Sequence, residues 1–366
     1  RLIHQWRQES TQSQQCELIQ ELPLDPGSLT LGFARRFAEY KRPDLLLTDP
    51  DRFERILCNP RYPVQLLVAG KAHPADTIGI GKIQHWQAFL QRENVRKHLV
   101  FIEDYDIELA QHLIQGVDVW INNPRRPWEA SGTSGMKVLV NGGLNLSSLD
   151  GWWAEGYTPD VGWPLGDGQE HGPEADAAEA DELYRRLEEE IIPSFYQRDE
   201  NEIPHQWLAK VRASMTQLTP FFSCNRMLRE YLEKYYLPAA RGHAHRTGAS
   251  GKLALELNRW QQRLQQHWHE IHLGDLQADG ETAHVSAQLG AIQPEDVIVE
   301  LIANPGIGNQ PAQSLKMQPE QNLGSGTNTW RYSLKAPTDR PLSDFTARVR
   351  PHHPEVAIPA ELPLIT

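Results

Sequence analysis

The chain has 366 residues and a formal net charge of −12 at pH 7, with 39% hydrophobic and 23% charged residues, so it is long enough for two or three domains with buried cores. The acidic balance argues against a nucleic-acid or anionic-membrane partner, and no apolar run approaches the roughly 18 residues that a membrane span needs. Three scattered cysteines imply no disulfide framework, so we expect a cytoplasmic protein.

Residues 1–27 are predicted to form an entry helix and a loop that ends at Asp25-Pro26-Gly27. The sequence begins with Arg1 rather than Met, and its first residues have the character of the middle of a helix. We therefore expect a fragment or a processed product of a longer protein.

Short apolar strands alternate with helical stretches between residues 28 and 240. The predicted strands are 29–33, 64–69, 99–103, 117–121 and 144–147. This alternation is typical of an α/β fold, a Rossmann-like parallel sheet with helices on both faces. Ligands of such sheets bind beyond the carboxyl ends of the strands.

A basic segment follows the first predicted strand. Arg35, Arg36 and Lys41 lie between that strand and a helix predicted over 43–47. Cations near a helix N-terminus oppose the helix dipole, so their presence is better explained by an anionic ligand, which arginine binds well. A solvated basic loop is the simpler alternative.

A second segment, Glu129 to Lys137, follows the fourth predicted strand and reads Glu-Ala-Ser-Gly-Thr-Ser-Gly-Met-Lys. Residues 131–135 are predicted to form a strand-to-helix turn, where backbone N–H groups and hydroxyls favour a phosphate. A lysine buried at such a place can carry an aldehyde cofactor as a Schiff base. An ordinary Gly/Ser loop with a surface lysine is the alternative.

Four aromatic residues follow this segment, namely Trp152, Trp153, Tyr157 and Trp163. They either stack on sugar faces or form a buried cluster, and the sequence leaves both open.

The remaining chain changes character. A linker rich in Gly and His is predicted over 241–251, and a helix plus a β-sandwich-like accessory domain over 252–366. The predicted strands of this small antiparallel β-domain are 284–289, 297–302, 329–334 and 345–350. Glucan binding, oligomer contact and support of the catalytic part all stay open as its role.

Segments 32–42 and 129–137 resemble the two signature stretches of the α-glucan (glycogen, starch and maltodextrin) phosphorylases, and residues 144–163 are most similar to a bacterial branch of that family. The looser resemblance, from residue 28 to 236, covers the C-terminal catalytic half of these enzymes. It implies the C-terminal half of a GT-B glycosyltransferase fold. It also implies release of glucose 1-phosphate from the non-reducing end of an α-1,4-glucan by inorganic phosphate, with retention of configuration.

The resemblance also implies residue roles. Lys137 would carry pyridoxal 5'-phosphate covalently, and the catalytic set would be Lys137, Arg36 and Lys41. The implied cofactor contacts are Gly132, Thr133, Ser134, Tyr105 and Arg35. The implied contacts to glucan or substrate phosphate are Glu129, Ser131, Gly132, Arg36 and Lys41. No metal is implied.

Three positions depart from the family's usual residues. Ser134 stands where Gly is common, Gly135 where Asn is common, and Asp106 where Arg is usual. The last change puts one contact to the cofactor phosphate in question.

The implied partners are glucan or maltodextrin, phosphate and the missing N-terminal half of the enzyme, without which we expect no activity. A homo-oligomer stays open. One alternative is a retaining glucosyltransferase using ADP- or UDP-glucose. Such enzymes often carry Glu, seven residues and Glu, but here the second position is Lys137. Another alternative is a non-catalytic glycan-binding fragment.

Overall fold

The structure is a computed structural model that describes residues 24–305, 311–324, 328–337, 340–356 and 361–366. The helix predicted near the N-terminus falls largely in residues 1–23, outside these ranges. The chain divides into two compact units, one up to Tyr231 and one from Leu232.

A parallel sheet forms the centre of the first unit. Within the described residues its strands are β1 (Leu29–Ala34), β2 (Val64–Ala69), β3 (Leu99–Ile102), β4 (Val119–Asn122), β5 (Leu144–Ser148) and β6 (Gly162–Leu165). Their order is β3-β2-β1-β4-β5-β6, with parallel pairing throughout. The predicted α/β fold is confirmed. The sequence analysis missed β6, because glycine and proline within four residues conceal a strand.

Helices connect these strands and continue beyond β6. They are α1 (Pro50–Leu57), α2 (Thr77–Phe89), α3 (Ile107–Gly116), α4 (Thr133–Val140), α5 (Gly151–Gly156), α6 (Asp176–Arg186), α7 (Ile192–Tyr196), α8 (His205–Phe221) and α9 (Cys224–Tyr231). Asp49, Asp76 and Asp106 cap the first three by accepting a backbone N–H three residues on. The helix predicted over 43–47 is a single 3₁₀ turn, Leu45–Leu47.

The core of this unit lies on both faces of the sheet. All residues of β1, β2 and β4 are buried, as expected for central parallel strands covered by helices. The Tyr184 hydroxyl donates to the Leu46 carbonyl at 2.9 Å and accepts the Asp49 N–H at 3.0 Å. Burial raises the pKa of Tyr184 to about 12.

The second unit combines a long helix with antiparallel strands. The helix is α10 (Leu237–His267) and the strands are β7 (His272–Leu273), β8 (Gln277–Asp279), β9 (Thr282–Gln288), β10 (Val297–Ala303), β11 (Gln313–Lys316), β12 (Gln318–Asn322), β13 (Thr329–Lys335) and β14 (Thr346–Pro351). One sheet has the order β11-β10-β14 and the other β12-β13-β9-β7, with β8 paired to β9.

The segment predicted as a linker, 241–251, lies within α10. Non-helical backbone angles interrupt this helix from Gly248 to Gly251. After the interruption, Trp260, Leu264 and Trp268 pack into the core of the second unit. In the described part of the chain, no helix combines the length and apolar character needed to cross a bilayer.

Candidate active site

The two signature segments meet at the carboxyl edge of the parallel sheet, where the strand order reverses. Strand β1 pairs with β2 on one side and with β4 on the other. Arg35 directly follows β1, and Glu129 lies in the loop between β4 and α4. Open α/β sheets bind their ligands at this reversal point.

Glu129 joins three loops. Its Oε2 atom accepts a hydrogen bond from Arg35 Nη2 at 3.0 Å and a second one from Lys41 Nζ. Its backbone N–H donates to Asp150 Oδ2, beyond β5, at 2.8 Å. Glu129 is only 8% exposed. The structure thus brings together three residues that the sequence analysis placed at the site, and it adds Asp150.

Arg35 is buried but only partly paired. Its Nη1 atom has no hydrogen-bond partner among the described residues. Burial lowers the pKa of Arg35, and the Glu129 carboxylate opposes that shift. A buried donor without a partner costs about 1–3 kcal/mol. An anion at this point would therefore satisfy both the hydrogen bond and the charge.

Tyr105 lies after β3, on the same edge of the sheet, and is half-buried. Burial raises the pKa of Tyr105, while the positive charge of Arg35 acts in the opposite direction. The phenol of Tyr105 therefore lies close enough to the Arg35 guanidinium for the two groups to interact electrostatically.

Two glycines shape the turn that opens α4. Gly132 caps the helix with φ of 93°, in the left-handed region. At Gly151, φ is 53° and an added Cβ would lie 2.4 Å from the Ser131 carbonyl oxygen. The Trp152 N–H donates to that same carbonyl at 2.8 Å. The turn therefore packs directly against the start of α5.

Lys137 lies on the exposed face of α4. Thr133, Lys137 and Val140 are exposed at helical spacing, whereas Val138 and Leu139 are buried. The sequence left a buried and a surface lysine open, and in the described chain Lys137 lies at the surface because α4 turns its apolar side to the sheet. Arg36 and Ser131 are exposed as well. These residues form the rim of the site, and Ser134 is half-buried beneath it, where its hydroxyl accepts the Trp120 Nε1–H at 3.2 Å.

Arg42 has a structural role that sequence reasoning missed. It has φ of 45° and is buried. Its Nε donates to the Asn123 carbonyl at 3.0 Å, and its guanidinium also binds Asp176 at 2.8 Å and Glu179 at 2.6 Å. It thus fixes the loop after β1 to the loop after β4 and to α6. The pairing of a basic loop with a distant acidic helix leaves no signal in residue spacing.

The aromatic cluster is buried rather than available to sugars. Trp152, Trp153 and Trp163 are at most 3% exposed, and Tyr157 is half-buried. Of the two alternatives, burial is confirmed for the three tryptophans, although Trp163 packs in the main core and not in the cluster of Trp152 and Trp153. In the described ranges, no group of three or more His, Cys, Asp or Glu residues is arranged to hold a metal ion.

Comparisons with known proteins identify the family of this chain. A family model for carbohydrate phosphorylase matches residues 5–155, and a model for the glycogen phosphorylase C-terminal domain matches residues 268–366. The glycogen phosphorylase of Mycobacterium tuberculosis is 40% identical over 360 residues, which cover 93% of this chain and 41% of that protein. The chain belongs to the carbohydrate phosphorylase family.

Two further phosphorylases are similar. The maltodextrin phosphorylase of Thermococcus litoralis is 36% identical over 90% of this chain and 40% of its own length. The glycogen phosphorylase of Aquifex aeolicus is 46% identical over 60% of this chain and 32% of its own length. The chain spans no more than 41% of the length of these relatives.

In this phosphorylase chain, two departures from the family's usual residues have structural reasons. Gly135 is buried, and an added Cβ would lie 2.5 Å from Asn145 Oδ1 and 2.9 Å from Trp152, so a larger side chain does not fit. Asp106 accepts the Leu109 N–H at 2.8 Å and thereby caps α3.

Proposed function

We propose that the protein carrying this chain is an α-1,4-glucan phosphorylase that releases glucose 1-phosphate from the non-reducing end of glycogen or maltodextrin. The main support is the arrangement of Arg35, Lys41 and Glu129 at the ligand edge of the sheet. It concentrates positive charge inside an acidic protein, as a phosphate site requires. Family membership adds to this support. Because the chain spans about two fifths of its relatives, the activity belongs to the whole protein.

Pyridoxal 5'-phosphate is the cofactor we propose, and the residues present fit it. Within the described ranges, neither Nη1 of Arg35, which offers a buried cation, nor Nε1 of Trp152, which offers a buried donor close to Gly135, has a hydrogen-bond partner. Lys137 offers the amine for covalent attachment, with Gly132, Thr133, Ser134 and Tyr105 as further contacts. When bound, the cofactor supplies a phosphate group that can exchange a proton with substrate phosphate.

Arg36 and Lys41 are assigned to substrate phosphate. Arg36 is exposed on the rim, and Lys41 reaches into the cluster through its bond to Glu129. Two phosphate groups in one site repel each other, so the charge of Arg35 and Lys41 is needed to offset that repulsion. The same positive charge holds phosphate against a sugar that develops positive charge during bond cleavage.

Glu129 is assigned to a sugar hydroxyl. Its Oε2 atom accepts hydrogen bonds from both cations. Its Oε1 atom lies towards the turn, 3.6 Å from the position that a Cβ atom at Gly132 would occupy. A hydroxyl bound by Oε1 would also contact the turn that includes Ser131 and Gly132. Because Arg35 and Lys41 already hold its carboxylate, Glu129 can orient the sugar with little further loss of side-chain freedom on binding.

The decisive experiment uses the whole protein, including the part that precedes this chain. We expect phosphate and maltodextrin to give glucose 1-phosphate. Borohydride reduction followed by peptide mapping should then place a pyridoxyl group on Lys137. Lys137→Ala should lose both signals, whereas Lys97→Ala, at an exposed lysine outside the site, should keep both. Elongation of glucan from ADP- or UDP-glucose without phosphate or pyridoxyl group would contradict the proposal.

A further inference from the structure

Trp128 is exposed at the edge of the site. It is 67% exposed, while the nine other tryptophans in the described ranges are buried or half-buried. It directly precedes Glu129, in the loop between β4 and α4. Single exposed apolar residues are common on protein surfaces, so it is the position of Trp128 beside Glu129, and not its exposure alone, that points to a binding surface.

The loop that presents Trp128 is held from several sides. The Trp128 N–H donates to the Arg125 carbonyl at 3.0 Å, and the Arg125 N–H donates to the Tyr40 carbonyl at 2.7 Å. The Arg126 guanidinium donates to the Leu149 carbonyl. Trp128 thus follows two residues that are bonded to the neighbouring loops after β1 and β5. A side chain on a fixed backbone loses little freedom when it binds a ligand.

The residue after Trp128 is anchored too. Glu129 is held by Asp150 through its backbone and by Arg35 and Lys41 through its carboxylate. Trp128, with its backbone fixed, and the sugar-binding carboxylate of Glu129 therefore occupy consecutive positions. One offers a flat apolar face and the other a hydrogen-bond acceptor.

We propose that Trp128 is a stacking platform for a pyranose ring of the glucan, adjacent to the ring whose hydroxyl Glu129 binds. A pyranose combines an apolar C–H face with a rim of hydroxyls, so it matches an aromatic face beside a polar group. Phosphate has no apolar face and is served by Arg36 and Lys41 instead. This inference rests on the proposed function, since it assigns a sugar contact to the same site.

The experiment uses the whole protein with Trp128→Ala and Trp128→Phe. Leu255→Ala is the matched control, because Leu255 is a similarly exposed apolar residue, at 59%, in the second unit. KM values for maltoheptaose and for phosphate are measured separately. The Kd for maltoheptaose is measured by calorimetry without phosphate, and thermal unfolding is recorded for each variant.

We expect Trp128→Ala to raise both the KM and the Kd for maltoheptaose about tenfold, the size of one aromatic stacking contact. The KM for phosphate should not change, and Trp128→Phe should retain most of the affinity. Leu255→Ala should behave like the unchanged protein.

An unchanged maltoheptaose Kd in Trp128→Ala would overturn the inference, and so would equal rises in both KM values. A lower unfolding temperature with an unchanged Kd would also overturn it, because Trp128 would then pack against another part of the protein. If the unchanged protein binds maltoheptaose but releases no glucose 1-phosphate, the proposed function fails. The Kd of Trp128→Ala still decides the stacking inference in that case.

Discussion

Glu129 in the first unit and Glu300 in the second are both buried carboxylates with two cations each. Glu129 binds Arg35 and Lys41, whereas Glu300 accepts from Arg348 at 2.7 Å and from Arg350 at 3.0 Å, both through Oε1. They are 8% and 3% exposed. By the burial of the carboxylate and the number of cations it binds, the two clusters cannot be told apart.

Their difference lies in what is left unpaired. Ser314 donates to Glu300 Oε2 at 2.8 Å, so both carboxylate oxygens are used, and β10 holds the residue in the middle of a sheet. Around Glu129, the buried Nη1 of Arg35 has no partner among the residues that the structure describes, and Oε1 faces a turn. An ion cluster with donors to spare at a sheet edge indicates a binding site, whereas a saturated one within a sheet indicates a structural role.

The largest expected effect is on kcat, and it tests whether the cluster around Glu129 differs in function from the one around Glu300. In the whole protein, Lys41→Ala should lower kcat about 10²–10³-fold, the cost of removing one preorganised donor from a transition state. Arg348→Ala removes a cation from the other cluster and should leave kcat unchanged. Initial rates of glucose 1-phosphate release at saturating phosphate and maltodextrin provide the measurement.

The same two variants can also contradict the assignment of the cluster around Glu129 to catalysis. If Lys41→Ala keeps its turnover, or if Arg348→Ala loses as much, the unpaired donors around Glu129 do not mark the catalytic cluster. Thermal unfolding of both proteins, recorded alongside, separates a loss of chemistry from a loss of folded protein.

A smaller effect concerns stability in the second unit. Burial alone would raise the pKa of Glu300, but hydrogen bonds from Ser314 and Arg348 hold it below its usual range. Since the folded pKa is lowered, the stability from this group is present above the unfolded pKa and is lost as pH falls through the folded one. Glu300→Gln should therefore lower the unfolding free energy by about 1–3 kcal/mol at neutral pH.

This loss should shrink in acid, because the unchanged protein then also carries an uncharged group at position 300. Urea unfolding at neutral pH and near pH 3 measures it. A loss of equal size at both pH values would show that side-chain shape, and not charge, accounts for the stability.

Much of the parallel sheet could be predicted from the sequence. Strands β1 to β5 are short apolar runs of the kind that two covered faces require. The strand-to-helix turn predicted over 131–135 is too long, because α4 already begins at Thr133. The convergence of Arg35, Lys41 and Glu129 could be expected because parallel strands present their carboxyl ends at one edge.

What could not be predicted depends on contacts between distant segments. The anchor from Asp150 to Glu129, and the bonds from Arg42 to α6, join residues whose partners are fixed only by the packed fold. The exposure of individual side chains could not be predicted from the sequence either. Trp128 and Trp152 are the same residue type within one region, yet one is 67% exposed and the other 2%. Only the three-dimensional packing separates them.

The smallest expected effect concerns a third carboxylate, Asp118, just before β4 at the amino end of the sheet. It accepts the Thr30 N–H at 2.8 Å and forms no ion pair in the described part of the chain. Burial raises the pKa of Asp118. The folded state therefore holds the proton more tightly than the unfolded chain, so the ionised group opposes folding at pH values above its pKa.

Asp118→Asn keeps an acceptor for Thr30 without that charge. It should stabilise the protein by up to about 1 kcal/mol at neutral pH, with no gain below pH 3.8, the usual pKa of the group. Urea unfolding across this range tests the sign, and destabilisation at neutral pH would show that the carboxylate is needed as a charged acceptor, as at Glu300.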